Sequence, residues 1–385
     1  MNSNNRQLNQ LAYVTKKKKL SAHTEVQLNQ RIKGKNELPR SRADEVFIPA
    51  VIKLKMSTKI ILLALIISAL FTSCHKDDNT VNNPPTSNYK IGKNRFIVKV
   101  DGDDREYYVH VPANYTGTSM TPVVFMLHGT SGDGERFYNI SGWKEVGETE
   151  NIITVFPSSW RYCVITHGQQ KTTTKWNSQP AEWSFCTGET PRDDIKFLNT
   201  IITDLKSKFN IDSQRIYLVG FSNGGQMAAK CSIEMSDKFA AIVESAGSLF
   251  SDTTNNIPTY FPIRKMPITY QTGNEDYGPD NTGPTAPLTM LDSLLTTPNI
   301  PLLYGKSFKI AQTHINSFAL NPNFTITGDV NSIVVATYTS LIPNPLNIFQ
   351  FVLIKGLAHA YPNGNNHPFK AAKTNWQWMK QFRLP

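Results

Sequence analysis

The stretch Ile216-Tyr217-Leu218-Val219-Gly220-Phe221-Ser222-Asn223-Gly224-Gly225-Gln226-Met227-Ala228 decides the fold. Residues 216–219 are apolar and β-prone, residues 226–230 are good helix formers, and a serine stands between them, bracketed by Gly220 and Gly224. A strand, a sharp turn and a helix with serine at the apex form the Gly-X-Ser-X-Gly arrangement. It lifts one hydroxyl clear of a sheet edge on strained backbone. Glycine is required where the strand and helix backbones come close. The bare pattern also arises by chance, and an ordinary serine in a tight turn satisfies it. The flanking elements single out Ser222 as a candidate nucleophile.

On both sides of this stretch, buried strands alternate with helices. Residues 122–127 and 152–156 are continuous apolar runs, the pattern of strands covered on both faces. Ile195, Leu198, Ile201, Ile202 and Leu205 follow Pro191-Arg192-Asp193-Asp194 at helical spacing. Further strands are expected at 240–243, 267–271 and 348–353, and helices at 134–150, 301–320 and 371–382. Residues 95–100 and 105–111 alternate apolar and polar around Asp101-Gly102-Asp103-Asp104, which predicts a hairpin; residues 324–339 predict another. Residues 158–190 have no periodicity and are expected to form a long loop, a length usually kept for function. The sum is an α/β fold: a mostly parallel central sheet flanked by helices, with an N-terminal antiparallel hairpin.

The 385 residues, 39% hydrophobic and 18% charged, suit one large domain with appendages. The formal charge is +10, but residues 1–73 hold 13 Lys/Arg against 4 Asp/Glu, a net of +9, leaving about +1 for the remainder. The folded part is therefore near neutral, and nucleic acid is not an expected partner. Lys53, Lys55 and Lys59 precede an apolar run over 60–71, followed by Thr72-Ser73-Cys74, the parts of a secretory signal. Cys74 after small residues resembles a bacterial lipobox, with Phe71 where leucine is usual, and Cys74-His75-Lys76-Asp77-Asp78 resembles the export tag of bacterial surface lipoproteins. The expected organisation is an upstream extension (1–55) with Met56 as the start, a lipoprotein signal (56–73), a tether (74–90) and a folded domain (91–385). Lipidation is expected on Cys74, so that the membrane is met only through that anchor; a plain cleaved signal, leaving a secreted protein, and an uncleaved anchor are the alternatives. An exported chain permits disulfides; Cys163 and Cys186 share one segment and can pair, whereas Cys231 reads as a buried thiol.

A serine nucleophile needs a base, an acid to orient the base, and donors for the oxyanion. His359 follows the last buried strand and is the candidate base, with His367 its nearest rival. His110, His167 and His314 read as surface or structural. Asp276 follows the strand at 267–271 and is the candidate acid, with Glu275 and Asp280 as competitors; a solvated loop or a weak cation site including Asn274 is the bland reading of this cluster. Asn223 at the first turn of the helix and Thr130, after His128-Gly129, are positioned to offer backbone N–H groups to an oxyanion. Trp160, Trp176 and Trp183 either stack on a sugar or aromatic acid or pack the segment onto the domain.

Leu127-His128-Gly129, Pro191-X-Asp193-Asp194, Gly220-Phe221-Ser222-Asn223-Gly224-Gly225 and Gly356-X-X-His359-X-X-Pro362 together resemble the esterases that include polyhydroxybutyrate depolymerases and feruloyl or acetylxylan esterases, carbohydrate esterase family one of the α/β-hydrolase superfamily. The resemblance covers roughly residues 91–382. It implies a serine carboxylic-ester hydrolase working through an acyl-enzyme without metal or cofactor, on feruloyl or acetyl esters of polysaccharide. A polyester such as polyhydroxyalkanoate is the alternative substrate. The acid turn departs from the family: Gln271-Thr272-Gly273-Asn274-Glu275-Asp276 stands where His-Gly usually opens it, which bears on which acid is used. A non-catalytic glycan-binding surface lipoprotein on the same scaffold is the rival of another class.

Overall fold

The computed structural model describes residues 89–166, 168–179, 183–249 and 257–385. The signal, the tether up to residue 88, Cys74 and His167 lie outside the described residues. The strands are β1 (Gly92–Val100), β2 (Asp103–Val111), β3 (Thr121–Leu127), β4 (Ile153–Pro157), β5 (Trp160–Thr166), β6 (Gln169–Lys175), β7 (Ile211–Phe221), β8 (Ile242–Ser245), β9 (Ile268–Gly273), β10 (Leu320–Asp329), β11 (Ile333–Ser340) and β12 (Ile348–Ile354). The helices are α1 (Gly134–Ile140), α2 (Trp143–Glu150), α3 (Asp194–Lys208), α4 (Asn223–Glu234), α5 (Leu291–Thr296), α6 (Lys306–Phe318) and α7 (Ala371–Met379).

One sheet runs in the order β1-β2-β4-β3-β7-β8-β9-β12-β11-β10. Its middle, from β4 to β12, is parallel. Antiparallel hairpins finish both edges: β1–β2 on one side and β10–β11 on the other. Successive side chains of a strand point to opposite faces, and the core shows it. Val123, Phe125 and Leu127 join Ile216 and Leu218 under α3, α4 and α6. Val124 and Met126 join Tyr217 and Val219 under α1, α2 and α7. Burying each such side chain contributes about 1.5–3 kcal/mol, so a strand apolar at every position demands cover on both sides. Among the described residues no helix is long and apolar enough to cross a membrane.

Three expectations need correction. The helix foreseen at 134–150 is two helices, because Ser141 closes α1 and Gly142, at φ 80°, starts α2 on a new axis. The helix foreseen from 301 begins only at Lys306. The loop foreseen at 158–190 contains a hairpin, β5–β6, and the Cys163–Cys186 disulfide ties β5 to the segment after β6 across 23 residues. The end of the hairpin is tied to a buried ion pair of the domain. Arg105 Nη2 donates to Asp194 Oδ1 at 2.7 Å with both side chains buried, and the other Asp194 oxygen accepts from the Asn177 N–H at 2.7 Å. Asp193 caps α3 by accepting from Lys196 N–H. Cys231 is a buried free thiol.

Candidate active site

Ser222 sits between β7 and α4 at φ 55°, ψ −120°, a conformation that a β-carbon makes costly. It is over-determined by its surroundings. Its N–H donates to Ser245 O at 2.7 Å, and its own carbonyl accepts the first helical bond, from Gln226 N–H at 3.0 Å. A β-carbon on Gly220 would lie 1.9 Å from Gly224 O, so strand and helix can meet here only through glycine. The side chain of Ser222 makes no capping bond. Its hydroxyl lies 2.8 Å from His359 Nε2 instead.

His359 Nδ1 donates to Asp276 Oδ1 at 2.8 Å, which leaves Nε2 as the acceptor facing Ser222. Asp276 is buried with both oxygens engaged: Oδ1 also accepts from Gly278 N–H at 3.0 Å, and Oδ2 from Thr272 Oγ1 at 3.0 Å. Burial pushes this carboxyl up, but the hydrogen bond and charge of His359, the Gly278 N–H and the Lys306 ammonium outweigh it and hold it below the usual carboxylate range. Glu275 instead accepts from Thr285 at 3.3 Å, and Asp280 is exposed. His367, the rival base, spends both ring nitrogens on Lys355 O and the Phe369 N–H.

Parallel pairing brings the ends of β9 and β12 side by side, with Gly273 opposite Ile354, so the acid and histidine turns are neighbours. A β-carbon on Gly273 would lie 1.7 Å from Leu357 O. Asn274, which sequence reasoning treated only as part of a solvated or cation-binding cluster, joins the two turns. Its N–H donates to Ile354 O, its Oδ1 accepts from Gly356 N–H at 2.8 Å, and its Nδ2 donates to Ala286 O at 2.9 Å. Phe221 packs on the His359 ring at 5.2 Å and on Tyr361, whose hydroxyl accepts from Trp143 Nε1 at 2.9 Å.

Thr130 is exposed at the mouth and lines both cavities that flank His359. One, of about 250 Å³, includes Arg136, Phe137, Ile140 and Tyr361. The other, of about 230 Å³, includes Ser222, Asn223, Lys175, Tyr270 and Lys306. The segment bearing Thr130 is held from behind. His128 is buried; its Nδ1 donates to Gly129 O and its Nε2 accepts from Ser159 N–H, and burial pushes the imidazolium down to about 4, so the ring is neutral. Asn223 is buried with its side chain facing away from the cavity chemistry: Oδ1 accepts from Trp176 N–H at 2.6 Å.

The three tryptophans do not form a stacking platform. Trp176 is fully buried; its indole N–H donates to His128 O at 2.8 Å, so it is a prop beneath the site and has no face left for a ligand. Trp160 lies under Arg192 at 4.7 Å, and Trp183 under Lys175 at 3.9 Å and beside Tyr162 and Phe185. Neither lines a cavity beside His359. Trp176 packs the insertion onto the domain, the plainer reading of these residues, while Trp160 and Trp183 stay half-exposed. Among the described residues no group of three or more His, Cys, Asp or Glu side chains could hold a metal ion.

Residues 115–280 match the phospholipase/carboxylesterase family. The bifunctional acetylxylan esterase/xylanase XynS20E of Neocallimastix patriciarum is 26% identical over 146 residues, 38% of this chain and 18% of that protein. Feruloyl esterase B of Piromyces equi is 23% identical over 285 residues, 73% of this chain and 46% of that protein. The chain thus spans less than half the length of either relative. Among solved structures, the acetyl xylan esterase from Aspergillus awamori aligns with 74% of this chain and 99% of its own at 14% identity and a TM-score of 0.46.

Proposed function

We propose that the chain is an α/β-hydrolase and a serine carboxylic-ester hydrolase that removes feruloyl or acetyl groups from polysaccharide through an acyl-enzyme. The observation that carries the reading is the continuous relay Ser222 Oγ–His359 Nε2–His359 Nδ1–Asp276 Oδ1, with both contacts at 2.8 Å. His359 takes the Ser222 proton as the hydroxyl attacks the ester carbonyl, and Asp276 keeps the imidazole in the tautomer that can accept it. The N–H groups of Thr130 and Asn223 receive the charge that builds on the carbonyl oxygen. His359 then protonates the departing alcohol, and water reverses the sequence to release the acid. Similarity to the acetylxylan esterase/xylanase and the feruloyl esterase supports polysaccharide esters as substrates. Hydrolysis of a polyhydroxyalkanoate is the second reading within the same chemistry.

A short-chain nitrophenyl ester assayed with wild type and Ser222→Ala tests the reaction: equal rates would sink it and leave a glycan-binding lipoprotein as the better account. Release of ferulate, acetate or hydroxybutyrate across a small substrate panel separates the substrates. We also propose export, with translation from Met56, a lipid anchor at Cys74 and a folded domain from about residue 91. The Cys163–Cys186 disulfide supports an oxidising compartment. Retention of Cys74→Ala in the membrane fraction would refute the anchor.

A further inference from the structure

The cavity that holds Ser222 carries two ammonium groups, Lys175 and Lys306, both half-buried. The carboxylate that borders it, Asp276, has both oxygens occupied. Among the described residues no Asp or Glu side chain forms an ion pair with Lys306. Its ammonium lies 5.4 Å from the Tyr304 ring, and its charge acts on Asp276 without a direct ion pair.

Lys306 is also an awkward choice for its place in the fold. It opens α6, a 13-residue helix whose first turn has no acidic residue. Its ammonium therefore adds to the positive end of the helix dipole, where a carboxylate is the stabilising choice. The chain reaches it through three successive left-handed residues: Leu303 at φ 51°, Tyr304 at φ 54° and Gly305 at φ 66°. Two of these carry β-carbons and are strained. The turn is held by Tyr277, whose hydroxyl accepts from Leu303 N–H at 3.0 Å, donates to Pro284 O at 2.8 Å, and whose ring meets Tyr304 at 4.9 Å. Tyr277 directly follows Asp276. The acid turn thus braces the very backbone that presents Lys306 to the cavity. Strain that neighbouring structure goes to such lengths to maintain is characteristic of functional positions.

We propose that Lys306, assisted by Lys175, is a specificity-determining residue that selects esters carrying a carboxylate close to the scissile bond. The inference rests on the ester-hydrolase reading and names its substrate class more narrowly: an acidic sugar bearing the ester, or a dicarboxylic or acid-ended acyl chain. Both sources present one carboxylate to the same side of the cavity.

Two matched pairs of esters test it. The acyl-side pair is 4-nitrophenyl butyrate and the mono-4-nitrophenyl ester of succinic acid. The alcohol-side pair is methyl 4-acetoxybenzoate and 4-acetoxybenzoate. The readout is the ratio of kcat/KM for the anionic ester to that for its neutral partner, which is unaffected by the fraction of folded enzyme and by any general change in His359 chemistry. Lys306→Gln should lower this ratio about ten- to hundredfold for the pair whose carboxylate reaches the cavity. Lys306→Arg should retain most of it, and added NaCl should lower it in wild type but not in Lys306→Gln. A ratio that Lys306→Gln leaves unchanged in both pairs overturns the proposal while the neutral esters still report esterase activity. If wild type cleaves none of the four, the ester-hydrolase reading fails and this inference falls with it.

Discussion

Two acid–histidine pairs lie near the ends of neighbouring strands, and they differ in every respect that matters to chemistry. Asp276 and His359 stand in turns after β9 and β12, 2.8 Å apart, with Ser222 beyond and a cavity on either side. Glu244, on β8, meets His314, on α6, at 3.3 Å with both side chains buried. His314 Nδ1 donates to Ile310 O, and its ring lies flat on Phe349 at 4.1 Å and an interplanar angle of 7°. Glu244 Oε2 has no hydrogen-bond partner among the described residues. The first pair has both carboxylate oxygens hydrogen-bonded and an open path to solvent; the second has packing and no third member. A carboxylate and an imidazole in contact are thus not a site. What makes one is a nucleophile on the free ring nitrogen and room for a substrate.

Substitutions can break that contrast, beginning with the largest effect. Ser222→Ala should lower kcat for a nitrophenyl ester about 10⁴- to 10⁶-fold, with no loss of thermal stability, since the hydroxyl makes no capping bond. Asp276→Asn should lower kcat about 10⁴-fold, because the amide favours the wrong imidazole tautomer. The same variant has a pH signature. A carboxyl held down in the folded state contributes stability above its unfolded value, near 4, and loses it as pH falls through the lower folded value. The difference in denaturation midpoint between wild type and Asp276→Asn should therefore be full at neutral pH and close below pH about 4. His314→Ala should invert the pattern: a loss of about 3–5 kcal/mol in urea unfolding, from the emptied stacking site and the orphaned Glu244, with kcat per folded molecule within about threefold of wild type. Glu244→Gln should be the mildest, changing kcat less than about threefold; a hundredfold fall would mean that the buried pair does reach the chemistry.

The contrast also shows what the sequence made legible. The strand–turn–helix at Ser222, the apolar strands and His359 could be read because each follows from local pattern: glycine spacing, runs of β-branched residues, a histidine just past a buried strand. Asp276 was separable from Glu275 and Asp280 only weakly, since the choice depends on which carboxylate the register of β9 against β12 turns inward, a non-local fact. His314 lay on a helix with nothing to mark its stacking against a distant strand. The β5–β6 hairpin was missed because β6, Gln169–Lys175, is a run of Gln, Lys and Thr, mostly exposed, with no apolar alternation to announce a strand. Whether Trp176 packs or stacks stayed open for the related reason that its partners, His128 and Asn223, are 48 and 47 residues away in sequence. Asn274 and Lys306 gave no signal, because an amide in a turn and a lysine at a helix start are ordinary until the backbone around them is known.

That buried indole has a practical consequence. Trp176 ends the hairpin with hydrogen bonds to both His128 and Asn223, and just before it Thr173 and Thr174 bond to Ser131 and Gly132. The segment that looks like a removable accessory is the back wall of the chamber it borders. Transplanting residues 158–190 from a relative to retune selectivity would replace the mould in which the Thr130 loop and the start of α4 are cast. Variation at the exposed edge of β6, leaving residues 173–176 intact, is the route by which this scaffold can be diversified without being dismantled.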